Sequence, residues 1–104
     1  MQTEIDEKIG QQQISLEDQK QLPYCLAVIQ EVQRCGNILE LNFFRKTEQE
    51  TIIGGFKIPA GSAILPEFSS VHIDPDNFER PDYFCPERHI NEAGEFMKDP
   101  RITP

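Results

Sequence analysis

Leu22-Pro-Tyr-Cys-Leu-Ala-Val-Ile-Gln-Glu-Val-Gln-Arg34 decides how the rest of this chain is read. Pro23 suits the first helical position, where a missing N–H leaves nothing unsatisfied. Gly36-Asn37 supplies a stop, so the spacing predicts a helix between them. On the helical wheel Leu22, Cys25, Leu26, Val28, Ile29 and Val32 share one broad apolar face, the expected core face. Cys25 lies inside that face and reads as a small core thiol. Glu31 and Arg34 fall on the other side, beside Ala27 and Tyr24. Periodicity alone makes them an exposed i,i+3 ion pair worth roughly a few tenths of a kcal/mol.

Upstream, residues 2–10 carry Ile5 and Ile9 four apart, and Gly10 can end a helix in the left-handed conformation. So short a stripe cannot stand alone and needs a partner surface, which these residues need not contain. Ser15, followed by acidic residues, predicts a capped short helix from about Leu16 to Gln21. Downstream, residues 38–44 suit an extended segment and residues 47–51 a polar turn. Thr51-Ile-Ile53, Gly54-Gly55 and Phe56-Lys-Ile58 form a hairpin signal. Pro59-Ala-Gly61 breaks the strand, and Ser62-Ala-Ile-Leu65 begins another that Pro66 confines to an edge. Residues 69–78 read as a capped helical turn, with Asp74 before Pro75. Residues 79–89 are proline-stiffened coil flanked by Arg80 and Arg88. Residues 91–95 are a polar turn, and residues 99–104 a tail without structural signal.

Composition excludes several function classes. The chain has 104 residues and a net charge of −8, and its pI is near 4.6. Nucleic acid is not the expected partner, because phosphate binding needs a basic stripe. No apolar run approaches the roughly 20 residues that cross a bilayer. The acidic N-terminus lacks the apolar stretch of a secretory signal. Cys25, Cys35 and Cys85 are odd in number and widely spaced, without Cys-x-x-Cys. That pattern favours reduced thiols in a cytosol-facing protein over zinc or a disulfide framework.

Catalytic motifs are also missing. His72 and His89 lie far from any nucleophile-like serine, and there is no Gly-x-Ser-x-Gly or His-Glu-x-x-His. Gly54-Gly55 is not followed by the Lys-Ser/Thr of a phosphate loop. Asp74, Asp76 and Asn77 miss the register of a calcium loop. Composition and spacing end at part of a mixed helix and sheet domain.

The order of the pieces resembles one family, the haem-thiolate monooxygenases, cytochrome P-450, in the style of its animal microsomal members. Residues 22–34, with Glu31-Val-Gln-Arg34, resemble the family's K helix and its Glu-x-x-Arg. Phe44-Arg-Lys-Thr47 and Ile52-Ile-Gly-Gly-Phe-Lys-Ile-Pro-Ala-Gly61 resemble the small sheet region that follows. Val71-His-Ile-Asp-Pro75 and Phe78 resemble the short K′ helix, and Phe84-Cys-Pro-Glu-Arg-His89 the meander. A bare Glu-x-x-Arg is nearly uninformative; five motifs in the correct order are specific. The fold implied is mixed, mainly α with a small β region. It is an incomplete piece of the cytochrome P-450 fold, with residues 1–104 as a single incomplete domain running from the end of the J helix to the meander.

The resemblance implies site residues. Glu31, Arg34 and Arg88 would form a buried ion network, one carboxylate between two guanidinium forks. Arg45 stands where the family bonds a haem propionate, a task suited to a guanidinium fork. Ile38, Leu39, Leu41, Asn42 and Phe43 correspond to the segment lining the substrate pocket, and their apolar character suits a lipophilic substrate. Departures are Glu40 for a usual proline, Ala60 for a common lysine and His89 for a common phenylalanine.

No cysteine stands at the axial position, so no metal ligand and no catalytic residue is expected in this chain; the residues from Asp99 onward no longer match. The I helix is also outside it. The expected parent binds haem and inserts one oxygen atom of dioxygen into a lipophilic substrate with electrons from a reductase. It would sit at the cytosolic face of the endoplasmic reticulum membrane, held by an N-terminal part absent here, and the fragment alone would be inactive. The alternative is a truncated, non-catalytic interaction or structural module descended from the same family.

Overall fold

The computed structural model describes residues 1–36 and 43–102. Helices α1 (Gln2–Lys8), α2 (Pro23–Gly36) and α3 (Ser69–His72) are joined by irregular chain, with 3-10 turns at Leu16–Gln21 and Pro86–His89. Four short strands, β1 (Arg45–Lys46), β2 (Thr51–Ile53), β3 (Phe56–Ile58) and β4 (Ala63–Ile64), lie between α2 and α3. The fold is mixed: a few helices and two small antiparallel strand pairs.

The start of α2 depends on α1. Pro23 has no N–H, so the first orphan donors are those of Tyr24 and Cys25. Leu22 precedes the helix and has no side chain that could cap them. Instead the Glu4 carboxylate accepts from Tyr24 N at 3.0 Å and from Cys25 N at 2.8 Å. Ile5 and Ile9 of this corner pack on Leu22 and Cys25. The partner surface that α1 requires is therefore α2 itself. Gly10 has φ +62° and donates to Ile5 O at 3.1 Å, closing the turn as its sequence predicts.

The strand pairs also follow local chemistry. Gly54 and Gly55 have φ +57° and +84°, the paired positive values that a two-residue hairpin turn requires. β2 and β3 pair Ile52 with Lys57. β1 pairs with β4, Arg45 opposite Ile64. Thr47 pins that second pair: its N–H donates to Ser62 O at 3.0 Å and its hydroxyl to Pro59 O at 2.8 Å. Residues 69–78 hold a four-residue helix and then a separate turn around Asp74, whose carboxylate accepts from Asp76 N and Asn77 Nδ2.

Two expectations are corrected. The wheel predicts burial of the Leu22–Val32 apolar face, yet Ile29 is 51% and Val32 49% exposed. Leu26 and Val28 are only half-buried. Only Leu22 and Cys25 of that face are buried, against α1; the other buried residues of α2 are Ala27, Gln30, Glu31 and Arg34, because the turn at Pro86–His89 and the chain after it pack there. Nor is the last segment structureless. Gln30 brackets it, its Nε2 donating to Met97 O at 3.2 Å and its Oε1 accepting from Asp99 N at 3.1 Å. Ile102 is buried.

Candidate functional site

The centre of the site is the Glu31 carboxylate, fully buried on the side of α2 that faces the meander. Arg34, one turn on, grips both oxygens: Nε to Oε2 at 3.0 Å and Nη2 to Oε1 at 2.8 Å. The i,i+3 spacing on a regular helix sets up this bidentate pair. The guanidinium then reaches out to the meander, donating from Nη1 to His72 O and Pro81 O, both at 2.8 Å, and from Nη2 to Tyr83 O at 3.1 Å.

The meander answers with three groups of its own. Arg88 Nε donates to Glu31 Oε1 at 3.2 Å, and Cys85 N donates to the same oxygen at 3.0 Å. His89 Nε2 lies 2.9 Å from Glu31 Oε2. Since a carboxylate only accepts, the imidazole presents an N–H at that nitrogen. Arg88 also ties the meander to itself, donating to Glu79 O at 2.8 Å and Tyr83 O at 3.3 Å. Arg80 holds a left-handed conformation, φ +47°, a strained backbone for a non-glycine residue. That twist turns the chain before Pro81, whose carbonyl takes an Arg34 bond. Phe78 closes the cluster, its ring carrying Arg34 at 5.3 Å and Arg101 at 4.5 Å, distances that suit cation–π attraction.

Burial by itself pushes the Glu31 carboxyl up. The Arg34 hydrogen bonds, the Cys85 amide, the His89 ring and the Arg34 charge outweigh that effect and hold it at about 2. The same carboxylate raises Arg34, against the opposing effect of burial. A carboxylate so firmly ionised is no general acid or base near neutral pH. The arrangement can clamp; it does not move protons.

The structure brings Glu31, Arg34 and Arg88 together around one buried carboxylate. Arg45 is exposed on β1 and makes no hydrogen bond to this network. Phe43 is 79% exposed, while Ile38, Leu39, Leu41 and Asn42 lie outside the described residues. His89, the Cys85 amide and Phe78 are participants that sequence reasoning misses. For His89 a signal exists, a polar ring next to Arg88 where an apolar one is usual.

A sequence model of the family described as cytochrome P450 matches residues 1–104. Similar curated proteins include rabbit cytochrome P450 2J1, 44% identical over 102 residues and 97% of this chain. Human cytochrome P450 2J2 is 42% identical over 105 residues and 100% of the chain. Probable cytochrome P450 CYP36A1 of Caenorhabditis elegans is 39% identical over 103 residues and 97% of the chain. The chain spans about a fifth of the length of these relatives, between 20% and 21%. This match over the whole chain means that the protein belongs to the cytochrome P450 family.

Proposed function

We propose that these residues clamp the meander to the K helix in a haem-dependent monooxygenase. That protein takes electrons from a reductase at the cytosolic face of the endoplasmic reticulum and inserts one oxygen atom into a lipophilic substrate. The observation carrying this reading is the Glu31 cluster, a buried carboxylate shared by Arg34, Arg88 and His89.

Haem, when bound, supplies dioxygen activation; the task of this chain is to hold and orient. Arg45 fits a propionate: its guanidinium is exposed, and among the described residues no carboxylate pairs with it. The thiols are engaged elsewhere. Cys25 is buried beside Met1 O, Cys35 lies on Arg34, and Cys85 faces Glu87. No helix among the described residues is long and apolar enough to cross a membrane.

The test is a chimaera in which these residues replace the matching fifth of a curated relative. It is expected to give the ferrous–carbon monoxide spectrum of a haem thiolate. Glu31→Ala is expected to abolish haem incorporation and Arg45→Ala to lower haem occupancy several-fold. A normal spectrum from Glu31→Ala would sink the clamp.

A further inference from the structure

Two of the three cysteines converge on one carboxylate oxygen. Cys35 lies one turn beyond Glu31, and its Sγ is 3.8 Å from Glu31 Oε1 and 3.0 Å from Arg34 Nη2. Cys85 donates its backbone N–H to that same Oε1 at 3.0 Å. Arg34 Nη2 also donates to Tyr83 O at 3.1 Å. The backbone of residues 83–85 therefore runs along the Cys35 edge of α2. Cys35 is exposed and Cys85 half-buried, so small solutes reach both. Cys85 Sγ is turned toward Glu87 Oε2 at 3.6 Å, a weak contact that one χ1 rotation releases. Cys25 is different. It is buried ten residues back on the helix, and burial, then Glu4, pushes its thiol up to about 11. About ten residues of helix span roughly 15 Å, too far for a bond to Cys35 while α2 is intact.

We propose that Cys35 and Cys85 are a redox pair whose disulfide staples the last turn of α2 to the meander beside the Glu31 network. The oxidant is a low-molecular-weight disulfide such as oxidised glutathione. The Cys85 thiolate attacks one sulfur of that disulfide, breaking its S–S bond and releasing one glutathione thiolate. The Cys35 thiolate then attacks Cys85 Sγ in the mixed disulfide, forming the protein bond and releasing the second glutathione. Two protein thiols lose two electrons to the small disulfide, and their two protons pass to the two thiolates released. Once Cys85 carries the mixed disulfide, proximity favours attack by Cys35 over attack by a second glutathione. In a reducing compartment the dithiol form prevails, so the bond marks an oxidised thiol pool. It adds a covalent tie to the hydrogen bonds that join the two segments, and it is independent of the haem reading.

The test is oxidation of the purified chain by oxidised glutathione in native buffer, followed by alkylation, digestion and mass spectrometry. The expected result is loss of two of the three thiols into one intramolecular Cys35–Cys85 bond, with Cys25 still free. The unfolded chain gives the opposite preference. A loop of about ten residues, Cys25 to Cys35, closes about tenfold more often than one of about fifty, Cys35 to Cys85. A Cys25–Cys35 bond in native buffer, separate glutathione adducts on Cys35 and Cys85, or disulfide-linked dimers would each overturn the proposal.

Discussion

Glu31 is the one carboxylate that the Arg34 and Arg88 guanidiniums share, with the His89 imidazole on its second oxygen. Replacing it by glutamine keeps its size and removes the counter-charge, leaving buried arginines uncompensated. Glu31→Gln is expected to cost about 3–5 kcal/mol, read from the urea midpoint of the chimaera. The pH dependence has a definite sign. The folded-state pKa of about 2 lies below the ordinary 4.5, so the unfolded chain binds the proton more readily. The stabilisation is complete above about 4.5 and is lost as pH falls toward about 2. Glu4, Asp18 and Asp99 are shifted in the same direction and add to that acid limb. Stability of Glu31→Gln is therefore expected to fall less steeply than that of the parent across this window. Equal slopes would mean that Glu31 titrates normally. The second meander contact to Glu31, through His89, makes Arg88→Ala milder than Arg34→Ala, which also removes the Arg34 bonds to the carbonyls of His72, Pro81 and Tyr83.

The most consequential element is α2, which takes its cap from another helix. The Glu4 carboxylate sits at the positive end of the α2 dipole and accepts two of its orphan N–H groups. Glu4→Gln removes the charge and one acceptor oxygen, and Glu4→Ala removes both oxygens. The expected order of destabilisation is Ala greater than Gln, with about 1–2 kcal/mol for Ala, measured by far-UV circular dichroism during thermal unfolding. Identical curves for the two variants and the parent would show that α1 caps nothing in solution. The β2–β3 hairpin behaves differently. Its turn follows from Gly54-Gly55, but Ile52 and Phe56 remain 71% and 75% exposed, and an isolated two-stranded pair is marginally stable in water.

The molecule as a whole is elongated, 57 × 30 × 21 Å, with a radius of gyration of 18.5 Å. A compact domain of this length would have about 13 Å. Among the described residues a buried apolar cluster sits at the α1–α2 corner, Ile9, Leu22 and Cys25 with Ile5 against them, while Phe78 and Ile102 are buried apart from it. Ile29 and Val32 form an uncovered stripe on α2, and such exposure favours association. In the isolated chain the double change Ile29→Glu and Val32→Glu is expected to reduce self-association, seen by sedimentation velocity. In the chimaera the same change is expected to lower stability by about 2 kcal/mol or more, the outcome of burying unpaired carboxylates under the added chain. Equal behaviour in both settings would show that this face is a true surface.

Local chemistry by itself determined the helix at Pro23–Gly36, the 3-10 turn at Leu16–Gln21, the hairpin at Thr51–Ile58 and the left-handed turn at Gly10. Each rests on proline, glycine or a short polar side chain acting within a few residues of itself, so no distant partner is needed to read it. The ordered motifs also carried the family and the union of Glu31, Arg34 and Arg88. Tertiary structure alone decided which side of α2 is inside. The wheel measures contrast between faces, not which face a distant segment will cover. The meander brings its own guanidinium, imidazole and backbone amide, so the polar face can be buried with its charge satisfied. The apolar face is covered by α1 only at Leu22 and Cys25 among the described residues. The same reason hid His89, Phe78 and the ordered segment at Met97–Ile102: Glu31, Arg34 and Gln30, which tie them to α2, lie more than 40 residues away in sequence, beyond the reach of any local pattern.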